Sequence, residues 1–103
     1  MKLPDKPTRC QLCSRAGCEL TKHHLFPRAT HRSQSIRKQT SREQRVTSIA
    51  WLCRPCHSAI HRFISEKQMA RHYHSVEQLR QHEEVIRFCQ WIADKPPGFQ
   101  PKF

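Results

Sequence analysis

A chain of 103 residues carrying 19 Lys and Arg against 8 Asp and Glu has a formal net charge of +11, and only 36% of it is hydrophobic. That length suits one domain with a modest core, which a metal or a crosslink is expected to help hold, and the charge points to a polyanion partner, nucleic acid first. The opening MKLPDKPTR has no apolar stretch of the signal-peptide kind and the longest apolar run, IAWLC at 49–53, is far too short to cross a bilayer, so a cytoplasmic protein with no membrane partner is expected.

In chain order, residues 1–9, with Pro4 and Pro7, read as an extended arm, and CQLC at 10–13 as a metal knuckle. Residues 19–26 are short and apolar enough for a strand. Residues 28–45 are polar and basic, with Ser, Thr and Gln throughout, and read as a long loop with room for one helical turn. Loops of that length in compact domains are usually functional. Residues 22–45 hold Lys22, Arg28, Arg32, Arg37, Lys38, Arg42 and Arg45 against the single acid Glu43, a clustering expected to bind a nucleic-acid backbone.

VTSIAWL at 46–52 is rich in β-branched and aromatic residues and should form a second strand. A helix is expected from Arg54, with Pro55 suited to its first turn and Ala59, Ile60, Phe63 and Ile64 at helical spacing. Ser65 and Ser75 each open a capping-box pattern for a further short helix. Glu83 to Asp94 carries a broad apolar stripe of Val85, Ile86, Phe88, Cys89, Trp91 and Ile92, so that helix should pack on the core, and PPGFQPKF forms a tail.

Two Cys-x2-Cys pairs, Cys10 with Cys13 and Cys53 with Cys56, can together complete a tetrahedral zinc site, and six cysteines in a reducing compartment favour metal over disulfides. Cys89 sits on the apolar stripe and is expected in the core; Cys18 is a weaker zinc ligand because of its spacing. In LCRPCHSAIH, His57 and His61 are four apart and share one helix face, while Cys56 is turned from His57 by about 100°. One ion can hardly take both, so the cysteines face a structural zinc and the histidines a second ion. His23 and His24 stand side by side on the first candidate strand, where neighbouring side chains point to opposite faces. His31 is expected to be solvated and Trp51 to be core; His72, His74 and His82 have no ligand spacing to the motif.

CxxC, TKHHLFPR and WLCRPCHSAIH together resemble the HNH endonuclease family in its small zinc-knuckle branch, over residues 10 to about 64. The resemblance implies an α+β fold: a ββα-metal core with a four-cysteine zinc knuckle, followed by short C-terminal helices. It implies one nuclease domain over 1–103, with knuckle and core at 10–64, helices at 65–95 and a tail at 96–103. Carried over by position, His23, His57 and His61 hold one catalytic divalent ion, His24 is the general base, and Cys10, Cys13, Cys53 and Cys56 hold structural zinc. Arg28 is the local residue to hold a phosphate, with Arg54 and Arg62 behind it. The implied activity is hydrolysis of DNA, by nicking or double-strand cleavage, to 5′-phosphate and 3′-hydroxyl ends. RNA is the alternative polymer, and the protein would act as a monomer or homodimer. Three imidazoles suit Zn²⁺, Ni²⁺, Mn²⁺ or Co²⁺ better than Mg²⁺, although the family commonly uses Mg²⁺ or Mn²⁺. One departure stands out: the chain has no asparagine, and Ser48 occupies the place of the family's N. Ser48 or Thr47 offers one hydrogen bond and Gln44 an amide in its stead. The other reading is a non-catalytic, zinc-dependent nucleic-acid-binding module.

Overall fold

The computed structural model describes residues 2–102 as an α+β fold. Met1 and Phe103, the outermost residues of the expected arm and tail, lie outside the described residues. The arm has no regular structure as far as Arg9, which bridges to Ala16 across the knuckle turn. Strand β1 spans Leu20–His24 and pairs antiparallel with β2, Ile49–Cys53. β2 starts later than the sequence suggests, because Val46 and Thr47 belong to a preceding helix.

The basic segment expected as a loop is mostly helical. A 3-10 turn runs over Arg28–Arg32, α1 over Gln34–Gln39 and α2 over Arg42–Thr47. Two forces overcome its polarity. Ser41 caps α2, its hydroxyl accepting from the Gln44 amide at 3.0 Å. Ile36 buries itself against Phe26 and Ala70, giving the segment a small core of its own.

Helix α3, Arg54–Phe63, begins directly after β2 with Pro55 in its first turn. Ser65 and Ser75 cap α4, Glu66–His72, and α5, Val76–Leu79, through the Gln68 and Gln78 amides, as their sequence patterns predict. Helix α6, Glu83–Ile92, packs on α3. Its stripe is narrower than expected: Val85 and Ile92 are buried, but Ile86 and Trp91 are exposed. The main core joins Leu52, Ile60, Ile64, Met69, Leu79 and Ile92 to the four knuckle cysteines. Trp51 is half-buried, its indole N–H donating to the Pro4 carbonyl at 3.1 Å. No helix among the described residues is long and apolar enough to cross a membrane.

The ladder sets Thr21 opposite Leu52, His23 opposite Ala50 and His24 opposite Ile49. Opposed residues share a face, so the small Ala50 leaves room for the imidazole of His23. Ala50→Val is expected to lower stability by about 1–3 kcal/mol through overpacking, read as a reduced denaturation midpoint of the zinc-loaded protein.

Candidate functional site

All four knuckle cysteines are buried, and their sulfurs lie within 4.8 Å of one another. Thiolates held about 2.3 Å from a tetrahedral zinc stand about 3.8 Å apart, and Cys13 Sγ lies 3.8 Å from Cys53 Sγ. The donor set therefore fits structural zinc. Hydrogen bonding from Cys10 lowers the pKa of Cys13, and likewise brings that of Cys53 down to about 7, while neighbouring thiols raise Cys10 and Cys56.

Arg15, which the sequence gives no reason to single out, is buried beside this cluster at 6% exposure. Its Nε donates to Cys13 Sγ at 3.5 Å and a terminal nitrogen to Cys53 Sγ at 3.4 Å. Its other terminal nitrogen reaches the carbonyls of Lys95 and Pro96, at 3.3 and 2.8 Å. Burial works against its charge, but the bonds to Cys13 and Cys53 raise its pKa further above the usual arginine value. One guanidinium thus offsets the negative charge of a four-thiolate site and ties the C-terminal tail to the knuckle. Cys18 is half-buried outside the four-sulfur group, and Cys89 is partly exposed and packed against the core from outside.

A second cluster joins β1 to α3. The ligand nitrogens of His23, His57 and His61 lie within 4.8 Å of one another, and the three rings, 5.0 to 5.3 Å apart, grade from buried to exposed. His23 is fully buried, and neither of its ring nitrogens has a hydrogen-bond partner among the described residues. Leaving a buried polar atom unsatisfied is costly, so this orphaned imidazole fits a cation held with His57 and His61. Burial first, then the His57 and His61 charges, pushes its pKa down to about 3, keeping it neutral and ready to ligate.

Thr21, also missed by sequence reasoning, orients the second ligand. Its hydroxyl has one proton, which it donates to the Leu52 carbonyl at 2.9 Å. The oxygen must then accept from His57 Nδ1–H, 2.8 Å away, which leaves His57 Nε2 unprotonated for an ion. The periodicity of β1 could have flagged Thr21, since it lies two residues from His23 on the same face.

His24 points elsewhere. It lines a cavity of about 390 Å³ together with Lys22, Arg28, His57, His61 and Glu66. Glu66, the acid on that wall, opens α4. Burial first, then the charges of Arg28, His31 and Lys22, lowers the pKa of His24. His24 and Arg28 also line a second cavity of about 300 Å³ with His31, Arg37, Arg42 and Arg45. His31 is not the solvated residue expected: it is half-buried, with Nε2 donating to the Phe26 carbonyl at 2.7 Å. Arg32 and Lys38 are exposed outside both cavities, as is Arg62 on α3. Arg54 is not brought to the histidines and instead pairs with Glu19 at 3.5 Å. His74 stacks on Phe26 and His82 packs on Tyr73, both away from the cluster.

Fold and site define a small α+β protein with a buried four-cysteine cluster suited to a metal ion. No protein-family model and no solved structure matches the chain. It is 33% identical over 90 residues to the uncharacterized protein YisB of Bacillus subtilis (strain 168), a match spanning 85% of this chain and 76% of that one. The chain belongs to the same family as YisB.

Thr21→Val keeps the shape of the side chain but removes the acceptor of His57. The Ni²⁺ or Co²⁺ affinity of the histidine cluster is expected to fall about 10–100-fold, with one zinc retained at the cysteines, as read by metal titration and elemental analysis. Protons provide a second check. His23 has a folded pKa of about 3 against an ordinary 6.5, so between those values the unfolded chain takes up a proton that the folded state refuses. With zinc at the cysteines and no added ion at the histidines, this contribution is complete above pH 6.5 and is lost as pH falls toward 3. The loss is about 1.4 kcal/mol per pH unit at most. Urea denaturation at about pH 7.5 and 5.5 should show the drop, and His23→Leu should shrink it.

Proposed function

We propose that this protein is a metal-dependent endonuclease of the HNH kind that hydrolyses phosphodiester bonds in DNA. The observation that carries the reading is the relation of four histidines. Three converge as an ion-binding cluster, and the fourth, His24, lines the same cavity as two of them while its strand neighbour His23 is buried beneath. In this reading β1, β2 and α3 are the ββα-metal core, and the four cysteines hold the structural zinc beneath it.

A phosphodiester resists attack because it is anionic and its leaving oxygen is poor. His23, His57 and His61 would hold one divalent ion, which would supply a Lewis acid for the phosphoryl group and the departing oxygen. His24 takes a proton from the attacking water. The water oxygen forms a new bond to phosphorus, the bond to the 3′ oxygen breaks, and that oxygen is protonated from solvent. Arg28, on the walls of both cavities, holds a non-bridging oxygen. Lys22 and the arginines of α1 and α2 bind the flanking backbone. The place of the missing asparagine is partly filled by main chain: the Leu25 N–H donates to the Ser48 carbonyl at 3.0 Å, fixing the backbone just after His24.

One observation favours a non-catalytic nucleic-acid-binding module instead. Neither the Ser48 hydroxyl nor the His24 ring has a hydrogen-bond partner among the described residues, so no side chain orients the proposed base. Supercoiled plasmid separates the two readings. Zinc-loaded wild type should nick it with Mn²⁺, Ni²⁺ or Mg²⁺, and folded His24→Ala should lose about 10²–10⁴ in rate while keeping its zinc and its DNA affinity. Binding without cleavage under every ion would sink the nuclease reading, and faster cleavage of RNA than of DNA would change its substrate.

A further inference from the structure

The second cavity has a composition that the hydrolytic step does not require. Beyond His24 and Arg28, its wall is made by His31 from the 3-10 turn, Arg37 from α1, and Arg42, Arg45 and Val46 from α2. Four arginines line about 300 Å³ of space, and no acidic residue does. The ion pairs of the surface lie elsewhere, Arg54 with Glu19 and Arg87 with Glu83; none forms to these four among the described residues. Glu43 shares α2 with two of them and is not on the wall.

Like charges gathered without a counter-charge repel one another, so their placement needs an explanation. Local hydrogen bonds supply the means. Arg37 Nε donates to the His31 carbonyl at 2.9 Å, and His31 is itself held by its bond to Phe26. A terminal nitrogen of Arg45 donates to Thr40, to its carbonyl at 2.8 Å and its hydroxyl at 3.0 Å. The Thr40 hydroxyl in turn donates to the Ile36 carbonyl at 2.6 Å, and Ile36 is buried. Two of the arginines are thus steered by neutral acceptors, which spend only part of their donors and leave their charge intact. The side chain of Arg42 is exposed and makes no hydrogen bond within the protein among the described residues. Fork-shaped donors held open this way match the oxygens of a phosphate group.

We infer that this pocket is a phosphate subsite, separate from the ion cluster, which takes a backbone phosphate of the nucleic-acid substrate next to the one being cut. His24 and Arg28 form the wall shared by the two cavities, so a strand passing over them would place consecutive phosphates on either side. The proposal rests on the nuclease reading for its substrate class, whereas the anion site itself does not require hydrolysis.

The test uses the full zinc-loaded chain with no other divalent ion, so that binding is read without cleavage. Arginine Nε–H signals are followed by NMR during titration with inorganic phosphate. Affinity for a duplex oligonucleotide is measured by fluorescence anisotropy over a series of KCl concentrations. Phosphate should shift the Arg42 and Arg45 signals saturably and leave Arg87, on α6, unmoved. Arg42→Gln with Arg45→Gln should weaken duplex binding about tenfold and flatten the salt slope by about one to two contacts, and Arg87→Gln should change neither. Arg42→Gln alone, at an exposed position with no internal partner, serves if the double variant unfolds. Arg42→Lys should restore the salt slope but not the phosphate shift. An unsaturable phosphate response together with an unchanged salt slope would overturn the subsite. Saturable phosphate binding with an unchanged slope would overturn its assignment to a polymer in favour of a free phosphate or mononucleotide. If both signals appear and plasmid is never cut, the subsite stands and the nuclease reading fails; if plasmid is cut and both signals are missing, the reverse holds.

Discussion

The site depends above all on the register of a two-stranded sheet. His23 is buried against α3 and His24 faces the cavities because their strand positions are consecutive, and a slip of one residue would exchange them. Two strands alone hold register poorly, so the surrounding contacts must fix it. At one end Leu20 pairs with Cys53, and Cys53 is fastened into the four-sulfur cluster. In the middle Gln11 clasps Trp51 twice, its N–H donating to the Trp51 carbonyl and its side-chain oxygen accepting from the Trp51 N–H. At the far end Leu25 donates to the Ser48 carbonyl. The cysteine cluster is therefore more than a general stabiliser. It fixes which histidine is buried, and through Cys56, in the first turn of α3, it also sets the rotation that turns His57 and His61 toward His23.

Charge is distributed according to the same layout. The buried half of the site holds the four cysteines and His23, which burial keeps neutral, with Arg15 as the one buried cation among the described residues. The exposed half carries guanidinium groups. Between them His24 is half-buried, where the positive groups around it act together with desolvation to disfavour its proton. The excess of +11 is thus not a uniform coat but includes a wall of arginines beside the histidine cluster.

The grouping of the cysteines and of His57 with His61 was legible in the sequence because spacing alone constrains it: two Cys-x2-Cys pairs and a helical His-x3-His leave few arrangements. The caps at Ser65 and Ser75 were legible for the same local reason. The identical pattern at Ser41, with Gln44 three residues on, passed unread inside a basic stretch that looked like loop, and Ile36 looked isolated because its partners Phe26 and Ala70 lie far along the chain. Arg15 and Thr21 depend on contacts made only after folding, with Lys95 and Pro96 in one case and Leu52 in the other. No pattern of neighbours marks them. Arg54, expected to back up Arg28, turns away because the first turn of α3 aims it at Glu19.

The Arg15 clamp also has an order in time. A growing chain presents Cys10 and Cys13 first, Cys53 and Cys56 next, and the carbonyls of Lys95 and Pro96 about forty residues later, roughly 2–8 s at ordinary rates of synthesis. All four thiolates can meet zinc during that interval while one side of the cluster is still uncovered. The guanidinium can cover Cys13 and Cys53 early, but it is held there from behind only when the tail arrives. A stretch of chain made later thus closes over sulfur atoms made earlier, and one side of the knuckle is covered only as synthesis proceeds past Pro96.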